Sequence, residues 1–137
     1  MATAEPSDPA PRRPGGDSGA ISSLMIQMFR DYTGRSPERA HTTISDDLVT
    51  CVLRDSLTKG EQKLVDQGEA LSVLEDRRKM QRLMREEASA GVEKILKREV
   101  IVFLSDNAIS PDVSVETWLL APSEQGDPTR MEPARPD

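Results

Sequence analysis

The sequence predicts an α+β fold: a helix-hairpin-helix-helix-hairpin chain whose small, mostly antiparallel sheet packs against its helices. Three observations predict it. An amphipathic helix leading into an apolar strand, a Ser-Asp turn and a second apolar strand occurs twice, turning at Ser45-Asp46-Asp47 and again at Ser105-Asp106-Asn107. Helical periodicity fills the stretch between the two units. Eight of the ten prolines fall before Ala20 or after Leu120, which confines the foldable region to one domain over 19–120. The repeat reads either as an internal duplication with a pseudo-two-fold axis or as two common helix–hairpin units in tandem.

The flanks, 1–18 and 121–137, are rich in Pro, Gly, Ser and charge. They offer too little apolar surface to offset the entropy of ordering and read as disordered tails.

The first helix is expected over Ala20–Thr33, with Ile21, Leu24, Met25, Met28 and Tyr32 on one stripe and Ile26 and Phe29 widening it. Asp17 or Ser18 suits its start, and Gly34 its stop in the left-handed conformation. His41–Ile44 reads as a half-polar strand, and Asp46-Asp47 as a tight turn. Leu48–Leu53 is apolar on both faces and reads as a central strand covered on both sides.

Thr58 followed by Glu61 matches a capping box, opening a short helix that ends near Gly68. A long helix over Glu69–Lys97 follows. Leu71, Leu74, Met80, Leu83, Met84, Ala88, Val92, Ile95 and Leu96 form its apolar side, and Glu75–Lys79 with Arg85–Glu87 its wet side. Ser89 and Gly91 suggest a kink. Val100–Leu104 is the most apolar strand, where Val102→Asp is expected to unfold the protein. In the last strand Val113, Val115, Thr117 and Leu119 alternate with Ser114, Glu116 and Trp118; the first set is assigned to the core and the second to water or a partner.

A net charge of −6 argues against nucleic acid and anionic lipid as partners, and 3% aromatics is too few for a base-stacking platform. Lys and Arg lie mostly on the long helix, interleaved with acids, as a solvated face. Neither a membrane-spanning run nor a signal-peptide apolar region stands in the residues, so direct membrane insertion is not expected and a cytoplasmic location is. The single cysteine, Cys51, sits in an apolar strand and reads as a small hydrophobe.

Each chemical candidate has a structural competitor. His41 with Asp46, Asp47 and Asp106 could be drawn as a metal or acid–base site, but the spacing demands no convergence and turns favour Asp. Asp106, Asp112 and Glu116 lack the EF-hand pattern. Glu61 is explained by its cap, and Gly34 by the helix stop. No catalytic, cofactor-binding or metal residue is therefore assigned. Trp118, with Glu116 beside it, is assigned as the interface candidate, because tryptophan is enriched where surfaces are covered; local packing is its competing reading.

The run Gly34-Arg35-Ser36-Pro37, Leu57-Thr58 with Glu61 and Leu64, Val73 and Arg77, Val92-Glu93, and Leu104-Ser105-Asp106 with Asp112 and Glu116 resembles the MpsC domain family. That family is named for a Na+-translocating membrane-potential-generating system. Departures fall at Ser36 and at Lys97-Arg98-Glu99, in turns. The resemblance implies a cytosolic accessory domain associated with a cation or inorganic-carbon transport system, and it brings no catalytic residues. The expected function is a non-enzymatic protein-interaction module, a homodimer and a candidate subunit of a membrane transport system, with no cofactor. The alternative is a ligand- or ion-sensing domain.

Overall fold

A computed structural model of the chain describes residues 15–122; most of the two regions read as tails lies outside them. Three helices and four strands follow in the order α1 (Gly16–Thr33), β1 (Arg39–Ser45), β2 (Leu48–Arg54), α2 (Lys59–Asp66), α3 (Ala70–Leu96), β3 (Val100–Ala108) and β4 (Val113–Leu120). The fold is α+β, and its sheet is antiparallel throughout with strand order β1-β2-β4-β3. β2 and β4 are the neighbouring central strands and run antiparallel, so the strand order is symmetric about them, with the α1-β1-β2 unit on one side and the α3-β3-β4 unit on the other. That is the arrangement an internal duplication would leave.

Local signals place the boundaries. Gly34 ends α1 at φ 82°, its N–H bonded to the Arg30 carbonyl. The capping box at Thr58 is complete: the Glu61 N–H donates to Thr58 Oγ1 at 3.0 Å and the Thr58 N–H to Glu61 Oε1 at 2.8 Å. α1 starts at Gly16, ahead of Ala20, with Gly15 at the cap position and no side-chain cap.

α1 and α3 lie on one face of the sheet and enclose the core. Ile21, Met25, Met28 and Phe29 from α1 meet Met84, Ala88 and Val92 from α3 over Val49, Cys51, Leu53, Phe103, Trp118 and Leu120. Gly91 makes no break in α3. A Cβ there would lie 2.6 Å from Leu24 Cδ2, so the glycine leaves room for that α1 side chain.

Four expectations are corrected. β2 is buried on alternate residues only, so one face of the sheet is uncovered by any described residue. β3 is an edge strand, because β4 inserts between the hairpins; Val102 points away from the core and is 38% exposed. The alternation of β4 is inverted. Ser114, Glu116 and Trp118 face the helices, while Leu119 is exposed. Hydrophobicity alone misphased the strand because its buried face carries two polar residues whose partners come from elsewhere in the chain. In α3 the buried stripe is Val73, Arg77, Gln81, Met84, Ala88 and Val92, while Leu71 and Leu83 are 76% and 73% exposed. Arg77, assigned above to the wet side, belongs to the core.

Candidate functional site

Polar chemistry in this molecule converges inside the core, along α3. Arg77 is 1% exposed and is held from four directions. Its Nε and Nη2 donate to the two Glu61 carboxylate oxygens at 2.8 and 2.7 Å. Nη1 donates to Ser56 Oγ at 3.1 Å and Nη2 to the Ser56 carbonyl at 2.7 Å. The guanidinium carbon stands 5.6 Å from the centre of the Phe29 ring. Burial raises the cost of the Glu61 charge, but the bonds from Arg77 and Thr58 outweigh it and hold the carboxyl below its ordinary range. Asp112 closes the same corner, its Oδ2 accepting the Leu57 N–H at 2.9 Å.

One turn along α3, Gln81 anchors a second group. Its Nε2 donates to Glu116 Oε2 at 2.8 Å and to Asn107 Oδ1 at 3.0 Å, and its Oε1 accepts from Asn107 Nδ2 at 2.7 Å. Ser114 Oγ donates to Asn107 Oδ1 at 2.6 Å. Glu116 Oε1 and Ser105 Oγ are buried without a well-formed hydrogen bond, although the two residues are cross-strand partners. Burial pushes the Glu116 carboxyl up to about 7, against the lowering effects of Ser105, Gln81 and the Arg77 charge.

The interface candidates therefore fall elsewhere than expected. Trp118 and Glu116 are both fully buried; Trp118 packs on Phe103 with ring centres 5.4 Å apart. Neither can meet a partner, and local packing is the correct reading for Trp118. His41 is exposed on β1. Asp46 occupies its turn at φ 53°, and Asp47 Oδ1 accepts from Arg98 Nη2 at 2.6 Å. Asp106 meets Arg78 at 3.4 Å on the surface. The structure does not bring these acids to His41, and among the described residues no three His, Cys, Asp or Glu side chains converge as metal ligands. Burial raises the Cys51 thiol to about 11, which leaves no reactive thiolate at neutral pH.

Two surfaces remain, and sequence reasoning missed both. The open face of the sheet displays Leu48, Leu119 and Val102 in one cross-strand row and Thr50, Thr117 and Leu104 in the next. Leu48 is 45% and Leu104 63% exposed. The second is a groove between α3 and the edge of β3. Its two segments have volumes of about 240 and 400 Å³; Arg78, Arg82 and Arg85 line one side, and Phe103, Leu104 and Ser105 the floor. The strict alternation of β4 carried a signal for the first surface, since one phase of any strand must point away from the helices.

No described helix is long and apolar enough to cross a membrane. The family described as the Na+-translocating membrane potential-generating system, MpsC, matches residues 18–121 of the chain. No curated protein and no solved structure matches.

Proposed function

The chain belongs to the MpsC family, and on that premise we propose that it is a small non-catalytic accessory domain that works by binding protein, first of all a second copy of itself. The observation that carries this reading is the open sheet face. Strands of seven to nine residues at about 3.4 Å per residue, four abreast at about 4.8 Å, make a face of roughly 24–31 by 19 Å. That is below the ~800 Å² per partner of a standard interface, which fits a weak, concentration-dependent dimer.

A second copy suits the face for two reasons. Its rows at Leu48 and Thr50 hold no charge, so an isologous contact there sets no like charges opposite each other. The rest of the chain, at a net charge of −6, repels its own copies. Association is thus favoured at this face and opposed elsewhere. The family description points to a membrane system, and the accessory role belongs with it: such a domain would join a membrane partner through protein contacts.

Sedimentation equilibrium on the full chain tests the reading. The wild type should rise above 15.1 kDa with concentration. A variant carrying Leu48→Lys and Leu119→Lys should stay monomeric. Lysine lowers the overall negative charge, so any loss of association must be local. A wild type that remains at 15.1 kDa at high micromolar concentration defeats the proposal.

A further inference from the structure

The groove between α3 and β3 has features that a bare structural edge does not need. β3 is the outer strand of the sheet, so alternate N–H and C=O groups along it have no strand partner among the described residues. From Val100 to Ser105 the strand itself carries no charge, and the register irregularity between Val100 and Val102 touches only its first residues. Asp106, further along β3, pairs with Arg78 at 3.4 Å, and the other charges lining the groove sit on the helix across it. Arg78, Arg82 and Arg85 form one stripe, and among the described residues neither Arg82 nor Arg85 has a carboxylate within ion-pair distance. Charges that protect an edge lie on the strand, where they meet an incoming strand directly. A row set back on a helix leaves the edge open and makes the space beside it positive.

We infer that this groove takes an extended acidic segment of a partner protein, added to β3 as a fifth strand with its carboxylates facing the α3 arginines. The spacings agree. Arg78 is engaged by Asp106; Arg82 and Arg85, three apart, rise about 4.5 Å along α3, within side-chain reach of acids about 6.8 Å apart at alternate positions of a strand. Apolar side chains of the segment, pointing the other way, continue the open face beside Leu104. Main-chain bonds supply affinity and the arginines supply selectivity.

A second copy of this chain is a poor occupant. Antiparallel pairing of two β3 strands about a two-fold axis near Leu104 would bring Arg82 and Arg85 of both copies to the same side of the joined sheet, like charge against like. This surface meets the open face proposed for the homodimer at Leu104, and the two are tested apart.

The experiment selects binders to the full chain from a displayed library of random twelve-residue peptides. Enriched sequences should place Asp or Glu at alternate positions between apolar residues. Their affinity, read by fluorescence polarisation, should fall about ten-fold or more with Arg82→Glu and Arg85→Glu together, a loss of roughly 1.4 kcal/mol, and should weaken with salt. Amide shifts on binding should centre on Ile101–Asn107. The Leu48→Lys, Leu119→Lys variant should bind the peptides as the wild type does, which separates this outcome from failure of the dimer. No enrichment, enriched peptides without acidic residues, binding to the charge-reversed variant within two-fold of wild type, or shifts confined to the open face would each overturn the inference. Both arginines are exposed, and the variant's amide spectrum checks that it remains folded.

Discussion

Arg77 grips both oxygens of Glu61, at 2.8 and 2.7 Å, and so ties the core-facing side of α3 to the first turn of α2. The arginine is 1% exposed and the glutamate 18%, a bidentate pair, and two further guanidinium donors go to the Ser56 hydroxyl and carbonyl. Replacing Arg77 by Met should destabilise the protein by about 3–5 kcal/mol, because Glu61 and the Ser56 carbonyl lose their partner in a dry setting. Urea denaturation measures it. A loss under 1 kcal/mol would show that water reaches Glu61 freely.

Glu116 gives stability a pH dependence of known sign. Its folded pKa of about 7 lies above the ordinary carboxylate value of 4.5, so the folded state holds this proton more tightly than the unfolded chain does. Its contribution is complete below about pH 4.5 and is lost as pH rises through about 7, a fall on the order of 3 kcal/mol. Glu61 acts oppositely: its carboxyl is held low, and its contribution is lost as pH falls through its folded value. Glu116→Gln keeps the shape and the acceptor for Gln81. Urea midpoints at pH 5 to 8 should therefore decline for the wild type relative to the variant, and the variant should be the more stable of the two at pH 8. Parallel curves would mean that Glu116 titrates normally.

Trp118→Ala should cost about 3–5 kcal/mol and leave self-association of the folded fraction unchanged. The indole is fully buried against Phe103, so truncation opens a cavity without altering an outer surface. Loss of the dimer in a variant with a native-like amide spectrum would contradict this placement.

Val102→Asp should fold cooperatively at a cost of no more than about 1–2 kcal/mol, whereas Val49→Asp should not fold. The first residue is on an edge strand and part-exposed; the second is at 0% exposure in a central strand. Soluble yield and cooperative melting distinguish them.

Gly91→Ala sets two effects against each other. Alanine favours the helix by up to about 1 kcal/mol, while its Cβ would stand 2.6 Å from Leu24 Cδ2. The contact atom ends a flexible, half-buried side chain, so Gly91→Ala should be near neutral. Gly91→Val should cost about 1–3 kcal/mol and be rescued in part by Leu24→Ala. Thermal melting of the three variants reads the coupling.

The residues that carry the family resemblance prove to be largely architectural. Gly34 stops α1, Thr58 and Glu61 cap α2, Arg77 and Glu61 form the buried pair, Glu93 Oε2 accepts the Val100 N–H at 2.8 Å, and Asp112 holds the Leu57 N–H. Their order along the chain records which backbone ends must be satisfied. That explains why the family and the fold were legible while the candidate surfaces were not: a binding face here is made of ordinary Leu, Val and Arg side chains, and only their neighbours distinguish it.

By itself the sequence determined the elements and their type, the capping box, the Gly34 stop and the inert Cys51. These depend on residues within a few positions of one another, or on a period that local backbone geometry imposes. The tertiary structure alone decided that β4 lies between the hairpins, that β3 is the edge, and that Arg77, Gln81 and Glu116 turn inward. Strand order is set by contacts between residues tens of positions apart. A charged side chain is admitted to a core only when its partners arrive there too. Hydrophobicity read along the chain assigns Arg77 to water; Glu61, Ser56 and Phe29, brought together by the fold, assign it to the interior.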